Sequence, residues 1–323
     1  MHSRRPARIH SSYREHPRPS TVAFFQFRLS LVFSMQKFSA TTANRRVATV
    51  TALLLGLASC TTPDAVRQFV ATARDATLQF SPFVRDIGAS CVQRKLAERP
   101  VTEIEDATGP ATAACKEDFD LEPDLLGSIK VLSSYFSALD CLASNETVSY
   151  DKEIDGFADK LQVAAKFPAP ATDAVKGLAK FLADAVASGY QRKKLADALR
   201  AADPHVTALT NTLGRIVGVE YVRDLDNEED SLKNRYIDAM RSDQHNDAVA
   251  LLLQRQWTRD FEALQRKKSA AVDYQKVLDR VRDGHKQLAA RASRWSGADL
   301  AKELGSYTAS IKALVSSFQA ASF

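Results

Sequence analysis

After residue 60, the side chains best suited to acid–base or metal chemistry are three histidines, His205, His245 and His285. None of them lies three or four positions from another histidine or from a cysteine, so no helix face offers a metal ion two ligands. His285 has Asp283 nearby, but we expect it to be a single exposed histidine. A Gly-rich phosphate loop, a Gly-x-Ser-x-Gly turn and a His-Glu-x-x-His motif are also missing from the sequence. We therefore predict no catalytic, cofactor-binding or metal-binding residue.

Two acidic clusters and two basic runs stand out among the charged residues. The cluster from Asp224 to Asp230 lacks the glycine and the distal glutamate of a calcium loop, so we expect a solvated helix face or a bend between helices. The acids from Glu117 to Asp124 precede a predicted helix, where they interact favourably with its N-terminal dipole. The basic runs Arg192–Lys194 and Arg266–Lys268 are expected to be solvated, with contact to phosphate headgroups as the alternative.

The net charge of +5 comes entirely from the first sixty residues. Residues 1–60 hold nine Lys and Arg and one acid, Glu15, whereas the remainder holds 35 Lys and Arg against 38 Asp and Glu. If this segment is removed as a targeting sequence, the rest of the chain is weakly acidic. A nucleic-acid-binding protein needs a basic surface, so we predict no nucleic-acid partner.

Residues 35–59 have the layout of a secretory signal. A positively charged segment ending at Arg46 precedes an apolar run from Val47 to Leu57, and small residues follow. The run is about a dozen residues long, too short to cross a hydrocarbon core of ~30 Å as a helix. Its end, Leu57-Ala58-Ser59-Cys60, resembles the lipobox of bacterial lipoproteins.

This resemblance implies cleavage before Cys60 and attachment of acyl chains to that residue. In such lipoproteins a residue other than Asp after the cysteine, here Thr61, implies sorting to the outer membrane, facing the periplasm. A signal starting at Met1 would far exceed the usual length of about 15–30 residues. We therefore expect residues 1–34 to lie outside the true precursor, 35–59 to be the signal peptide and 60–323 to be the mature domain.

Export would place the remaining cysteines, Cys91, Cys115 and Cys141, in an oxidising compartment. Cys91 and Cys115 bracket a stretch rich in Pro, Gly and Thr, and we favour a disulfide between them over the other two pairings. A disulfide that closes a loop of that size stabilises the folded protein by about 3 kcal/mol, because it restricts the unfolded chain. Cys141 lies within a helical apolar pattern, which predicts a buried thiol.

The spacing of apolar residues predicts a series of helices. Pro82 should kink or break the first helix, and a loop should follow from about Arg99 to Asp120. Further helices are expected from near Glu122-Pro123, around Ile154, Phe157 and Leu161, from near Thr172 after the connector Pro168-Ala169-Pro170, and from Asp203-Pro204 as cap and first turn.

The longest predicted helix begins around Asn246-Asp247 and continues for about forty residues, with Leu252, Trp257 and Phe261 on its apolar stripe. Because strand-type alternation is missing, we predict an all-α fold. The expected architecture is an elongated antiparallel helical bundle with long coiled-coil-like helices, whose stripes must pair lengthwise or pack on a partner.

These features favour a lipid-anchored envelope protein with a non-enzymatic binding or scaffolding role. Its partners would be the membrane, through acyl chains on Cys60, and an envelope protein or cell-wall component whose identity the sequence leaves open, as it does the oligomeric state. The alternatives are an envelope enzyme, such as a cell-wall hydrolase, and a helical carrier of an apolar ligand. No cofactor is predicted for any of them.

Overall fold

The computed structural model describes residues 61–99, 108–144, 169–187, 192–242, 247–292 and 297–320, which belong to one compact unit. This part of the chain contains helices and no strand, which confirms the predicted all-α helical bundle. The helices are α1 (Thr61–Leu78), α2 (Ser81–Ala97), α3 (Thr108–Ala114), α4 (Lys116–Ser144), α5 (Ala169–Ala187), α6 (Arg192–Arg215), α7 (Val222–Ser242), α8 (Asp247–Ala290) and α9 (Ala298–Ala320). A π-helical segment, Ile216–Tyr221, joins α6 directly to α7.

Helix α8 runs along most of the bundle and pairs antiparallel with α6 and α7. It has 44 residues, equivalent to about 66 Å at 1.5 Å per residue. Tyr236 of α7 donates a hydrogen bond to Asp260 near the start of α8 (2.7 Å), whereas Arg282 near its end donates to Asn211 of α6 (2.7 Å). Residue numbers therefore increase along α8 in the direction in which they decrease along α6 and α7. The helices are antiparallel, and the predicted lengthwise pairing is present.

Helix α1 contacts α8 on a second side, and α2 continues in the same direction while packing mainly against α7 and α4. The Tyr274 hydroxyl of α8 donates to the Ala76 carbonyl of α1 (3.0 Å), and Lys267 pairs with Asp86 of α2 (2.9 Å). This direction is again antiparallel to α8. Helix α9 turns back along α8, since Arg291 pairs with Glu303 (3.1 Å), and α4 packs against α1, α2 and α5.

The break between α1 and α2 brings an aromatic cluster into the core. Helix α1 ends at Leu78 and α2 begins at Ser81, with Pro82 in its first turn, as predicted. Phe80 and Phe83 are fully buried and pack on Tyr274 with ring centroids 5.5 and 5.3 Å apart. Phe318 of α9 completes the cluster, 5.1 Å from Phe83. The interruption thus places Phe80 and Phe83 against Tyr274 of the long helix α8.

The predicted loop from Arg99 to Asp120 is wrong for its second half. Residues 108–114 form α3, and α4 already begins at Lys116, so Pro123 lies inside that helix and not at its start. The connector predicted at Pro168-Ala169-Pro170 is also shorter than expected, because α5 begins at Ala169. Proline is accepted in a first turn, where the N–H that it lacks has no intrahelical partner. The helix predicted around Ile154, Phe157 and Leu161 lies outside the described residues.

Pro204 was predicted to open a helix, but it lies within α6. An interior proline costs roughly 3 kcal/mol because one hydrogen bond is lost and the ring crowds the preceding turn. Burial on both sides of it offsets that cost. The apolar stripe continues in phase across the proline, with each member less than one tenth exposed: Leu199, Ala202, Val206, Leu209 and Leu213. The unbroken phase of this stripe across Pro204 is the sequence feature that indicates one continuous helix.

Among the described residues, α4 is the helix that is long and apolar enough to cross a membrane, judged only by length and composition. Its most apolar 18-residue window has a mean hydropathy of 1.2, and 61% of that window is buried inside the bundle. Tyr135 and Phe136 of this helix are fully buried. These are properties of a core helix in a helical bundle.

Candidate partner-binding surface

The predicted site residues fall partly outside the described chain. Cys60 and the signal segment 35–59 precede its first residue, Thr61, where α1 begins. Cys91 on α2 and Cys115 between α3 and α4 have their sulfurs 2.07 Å apart, a bonding distance. This is the pair favoured from the sequence, and it ties the end of α2 to α3 and α4. Cys141 is half-buried on α4, whereas a buried thiol was expected.

The carboxylate of Asp118 lies close to the sulfurs of Cys91 and Cys115, within the distances seen among metal ligands. Both sulfurs are nevertheless joined to each other. Because a metal is bound by thiolates, this group is not a metal centre while the disulfide persists.

Removing the disulfide with the double variant Cys91→Ala/Cys115→Ala is expected to lower the free energy of unfolding by about 3 kcal/mol. The physical reason is the freedom that the unfolded chain regains when the loop opens. Urea unfolding of the variant and of the wild type, with and without a thiol reductant, measures the effect. Reductant should destabilise only the wild type, and an equal response of both proteins would contradict the prediction.

The prediction of an exposed His285 is wrong, because this side chain is fully buried on α8. Its Nε2 lies 2.7 Å from the hydroxyl of Tyr135 on α4, and its Nδ1 lies 2.8 Å from a carboxylate oxygen of Asp203 on α6. The buried rings of Phe136 and Phe181 flank this network. A single histidine thus joins three helices through polar contacts. Because both partners are distant in the sequence, residue spacing does not reveal these contacts.

An aspartate, a histidine and a hydroxyl in line form the arrangement that activates a nucleophile in some hydrolases. Here the hydroxyl belongs to Tyr135, which is fully buried, and burial together with the nearby Asp203 raises its pKa. A substrate has no path to a hydroxyl that has no accessible surface. The network therefore stabilises helix packing, and its hydrogen bonds satisfy polar groups that would otherwise be costly to bury.

A second polar layer lies between α2, α7 and α8. Asp86 accepts hydrogen bonds from Tyr221, at the end of the π-helical segment, and from Lys267 of α8. Ser90 donates to Glu228, a side chain that is only 4% exposed. The extra residue per turn in a π-helix changes which side chains face a neighbour, and such segments often occur at functional sites. Here the segment ends at Tyr221, whose hydroxyl binds α2.

Some of the charged residues have a different role from the one predicted, although Asp226 and Asp230 lie on an exposed helix face as expected, and the side chains of Arg192–Lys194 lie outside the described ones. Lys267 pairs with Asp86, and Lys268 pairs with Asp226 and Glu229 at 2.6 Å each. Parts of the acidic cluster on α7 and of the basic run on α8 therefore neutralise one another across a helix interface. Only Arg266 of this run remains exposed. The acids from Glu117 to Asp124 lie within the first turns of α4 and not ahead of it.

Glu228→Gln is expected to stabilise the protein by about 1 kcal/mol at neutral pH. Burial raises the pKa of the Glu228 carboxyl, although the Ser90 hydrogen bond and Lys267 oppose the rise. A raised pKa means that the folded state holds the proton more tightly, so this group lowers stability as the pH rises above its ordinary value of 4.5. A glutamine stays neutral and can still accept the Ser90 hydrogen bond.

Thermal unfolding of the Glu228→Gln variant measured from pH 3 to pH 8 tests this sign (roughly the range over which carboxyls titrate). The gain should disappear below the ordinary pKa, where the glutamate is protonated in both states. Glu229→Gln is the matched control, since Glu229 pairs with Lys268 and should lose stability instead. A variant that is less stable than the wild type at neutral pH would refute the prediction.

The end of α7 and the start of α8 form an antiparallel hairpin. We define the hairpin tip as residues 231–242 and 247–262. Trp257 packs between Tyr236 and Phe261, with ring centroids 5.7 and 5.6 Å apart. The Tyr236–Asp260 hydrogen bond lies beside these rings. Arg235 donates to the carbonyl of Leu96 (2.6 Å), which attaches the tip to the last turn of α2. These contacts hold the two helices in a defined register.

The hairpin tip exposes most of the large apolar side chains found on the described surface. Leu252 is 65% exposed, Leu251 is 55% exposed and Met240 is 46% exposed, and Ile237 and Phe261 are each at 36%. Leu252 and Phe261 belong to the predicted apolar stripe of the long helix, and at this end no described helix covers them. Leu251, Leu252 and Leu253 are consecutive, and three neighbours about 100° apart cannot all face the same side of a helix.

Two adjoining grooves separate the hairpin tip from the end of α2. The more apolar one has a volume of about 380 Å³ and is lined mainly by Leu96, Ala97, Leu232, Tyr236, Ala239 and Leu253. The other, of about 590 Å³, shares Ala97, Arg235 and Ala239 and adds polar side chains such as Asn234 and Asp238. Apolar walls with a few polar groups are the usual composition of a binding groove.

The charge of this region differs from that of the chain around it. Residues 93–99 and the segment 231–262 carry eight Lys and Arg and six Asp and Glu, whereas the chain after residue 60 has more acids than bases. The region thus combines exposed aliphatic side chains, a groove and a small excess of positive charge. Comparison with protein-family models, with characterised proteins and with solved structures finds no significant match.

Proposed function

We propose that this protein is a lipid-anchored envelope protein whose hairpin tip binds a segment of another envelope protein. The bound segment would offer aliphatic side chains to the groove and carboxylates to its basic surroundings. The signal layout and Cys60 support the anchor, and a cysteine pair at disulfide distance fits an oxidising compartment. The exposed apolar surface of the hairpin tip is the observation that carries the binding role.

Exposed apolar groups favour this role because they are costly to leave in water. Each square ångström of apolar surface removed from water contributes roughly 25 cal/mol. Leu251 and Leu252 extend into solvent from a helix whose Trp257 packs against Tyr236 of α7. A rigid helix face beside a groove is the form in which many proteins bind an amphipathic partner segment. The scaffold therefore offers a preorganised surface.

Charge favours a partner segment that carries acids. The tip has a small excess of exposed positive charge, with the cations Lys233, Arg241, Arg255 and Arg259 against the acids Asp238, Asp247 and Glu262. Complementary charges across an interface raise the association rate and exclude partners of like charge, even where they add little affinity. The proposed binding should accordingly weaken as the salt concentration rises, because screening shortens the reach of these charges.

Photo-crosslinking in cells tests the proposal. A photoreactive amino acid replaces the exposed Gln254, and the crosslinked peptide of the partner is identified by mass spectrometry. The Leu252→Glu substitution should lower the yield of that adduct by about tenfold, the loss expected when one apolar contact worth about 1.4 kcal/mol is removed. Val272→Glu, at an exposed apolar position of α8 outside the tip, should leave the yield unchanged.

The identity of the crosslinked peptide decides the outcome. A single envelope protein, captured through a segment with aliphatic and acidic side chains, would support the proposal. Equal losses in the Leu252→Glu and Val272→Glu variants would show that the tip has no special role. Capture of glycan strands or lipid in place of a protein would overturn the proposed class of partner.

A further inference from the structure

Helix α1 begins immediately after the cysteine proposed to carry the acyl chains. Its first residue is Thr61, and Cys60 is the preceding residue of the chain. Acyl chains buried in the bilayer hold the attached residue at the level of the headgroups. No flexible linker separates that residue from the bundle, so the first turn of α1 must also lie at the membrane surface.

We propose that the bundle stands end-on on the bilayer, with the start of α1 facing the headgroups and the hairpin tip directed away from them. This inference rests on the proposed acylation of Cys60. It adds the orientation of the protein and the distance at which its binding surface is presented.

Contacts between helices identify which elements share the end that holds the start of α1. Arg67 of α1 pairs with Asp140 in the last turns of α4 (3.4 Å). Phe69 packs directly on Gly284, near the end of α8, where a Cβ atom would collide with its ring. His285, the next residue of α8, binds Asp203 of α6. The first turns of α1 therefore lie beside the last turns of α4 and α8 and level with the middle of α6.

The hairpin tip lies at the opposite end of α8. The stretch of this helix from Leu251 to Gly284 is about 50 Å long at 1.5 Å per residue. Because Gly284 is level with Phe69 of α1, the exposed leucines of the tip are held on the order of 50 Å from the membrane-facing end. A bilayer surface and the partner segment would thus be contacted by different ends of the bundle.

Charged residues favour the end-on orientation over one in which α1 lies flat on the membrane. The exposed side of α1 presents Asp64, Asp75 and Arg67, together with the partly exposed Arg74 and an exposed Leu78. With two acids against two arginines, this side has no excess of positive charge to attract anionic lipids, and a single leucine gives it no continuous apolar face for burial among the headgroups.

Energy transfer to the membrane surface tests the orientation. The mature, acylated protein is reconstituted into vesicles of phosphatidylcholine and phosphatidylglycerol that contain a headgroup-linked acceptor dye. A donor dye is attached through a genetically encoded amino acid either at Lys286, near the proposed membrane-facing end, or at Gln254 in the tip, both exposed positions. Transfer should be several-fold more efficient from position 286. Equal transfer from both positions, or stronger transfer from 254, would overturn the inference.

A linker variant tests whether the direct junction is the cause. A Gly-Ser insert of about twenty residues between Cys60 and Thr61, with a root-mean-square reach of roughly 25 Å, should reduce the difference between the two positions. An undiminished difference would show that something else sets the orientation and would contradict the inference. The anchor is checked separately, because a Cys60→Ala protein that still floats with the vesicles refutes the proposed function, whatever the dyes report.

Discussion

His285→Ala is expected to lower the free energy of unfolding by about 3–4 kcal/mol, the largest single-residue stability effect that we predict. The substitution removes a fully buried ring and leaves a cavity at the junction of α4, α6 and α8. It also leaves the Tyr135 hydroxyl without its hydrogen-bond partner in a place that water does not reach. The cavity and the unsatisfied polar group both favour the unfolded state.

Urea unfolding followed by circular dichroism measures this loss, and two further variants show its origin. Tyr135→Phe should cost about 1–3 kcal/mol, since the His285 nitrogen then lacks a partner. In the double variant His285→Ala/Tyr135→Phe, no buried hydroxyl is left without a partner. Its loss of stability should therefore be smaller than the sum of the two single losses. His205→Ala is the matched control at a half-buried histidine of α6 and should cost less than about 1 kcal/mol. A His285→Ala protein as stable as this control would contradict the role assigned to the network.

Cys60→Ala is expected to release the protein from membranes almost completely. A single acyl chain binds a bilayer only marginally, and the lipobox resemblance implies several chains on this one residue. Without them, the described bundle offers the membrane no strongly basic or apolar face along α1. Cell fractionation and vesicle flotation of the wild type and the variant, detected by immunoblotting, measure the change.

The control for this substitution is Cys141→Ala, which removes a cysteine from α4 but leaves the proposed anchor intact. It should fractionate with membranes as the wild type does. Mass spectrometry of the wild type should show an acylated cysteine at the amino end and no residues before it. Persistent membrane attachment of Cys60→Ala would rule out the anchor and, with it, the orientation proposed for the bundle.

The helical class and the longest helix could be predicted because they depend on local information. Periodic apolar residues and the scarcity of breakers extend unbroken through α8, and the predicted start at Asn246-Asp247 agrees with Asp247. The break at Pro82 was predicted, but the helix starts predicted at Pro123 and Pro204 were wrong. The rule that proline ends a helix concerns one residue's backbone, whereas Pro204 is retained because the surrounding stripe is buried on both sides.

Side-chain roles were the least predictable, since they depend on which helices become neighbours. Lys267 and Lys268 were predicted to be solvated cations, because their carboxylate partners Asp86 and Glu229 lie far away in sequence. His285 was predicted to be exposed for the same reason, because Tyr135 and Asp203 come close to it only when three helices pack together. Spacing along one chain segment contains no record of those contacts.

The sequence by itself determined that this protein is helical, that one helix is very long and that Cys91 and Cys115 flank a connection short enough to close. It also supplied the lipobox-like segment that motivates the proposed anchor. The tertiary structure decided which apolar positions are covered, and it left Leu251 and Leu252 exposed while burying His285. The physical reason is that periodicity shows which side of a helix is apolar, but only packing determines whether another helix covers that side.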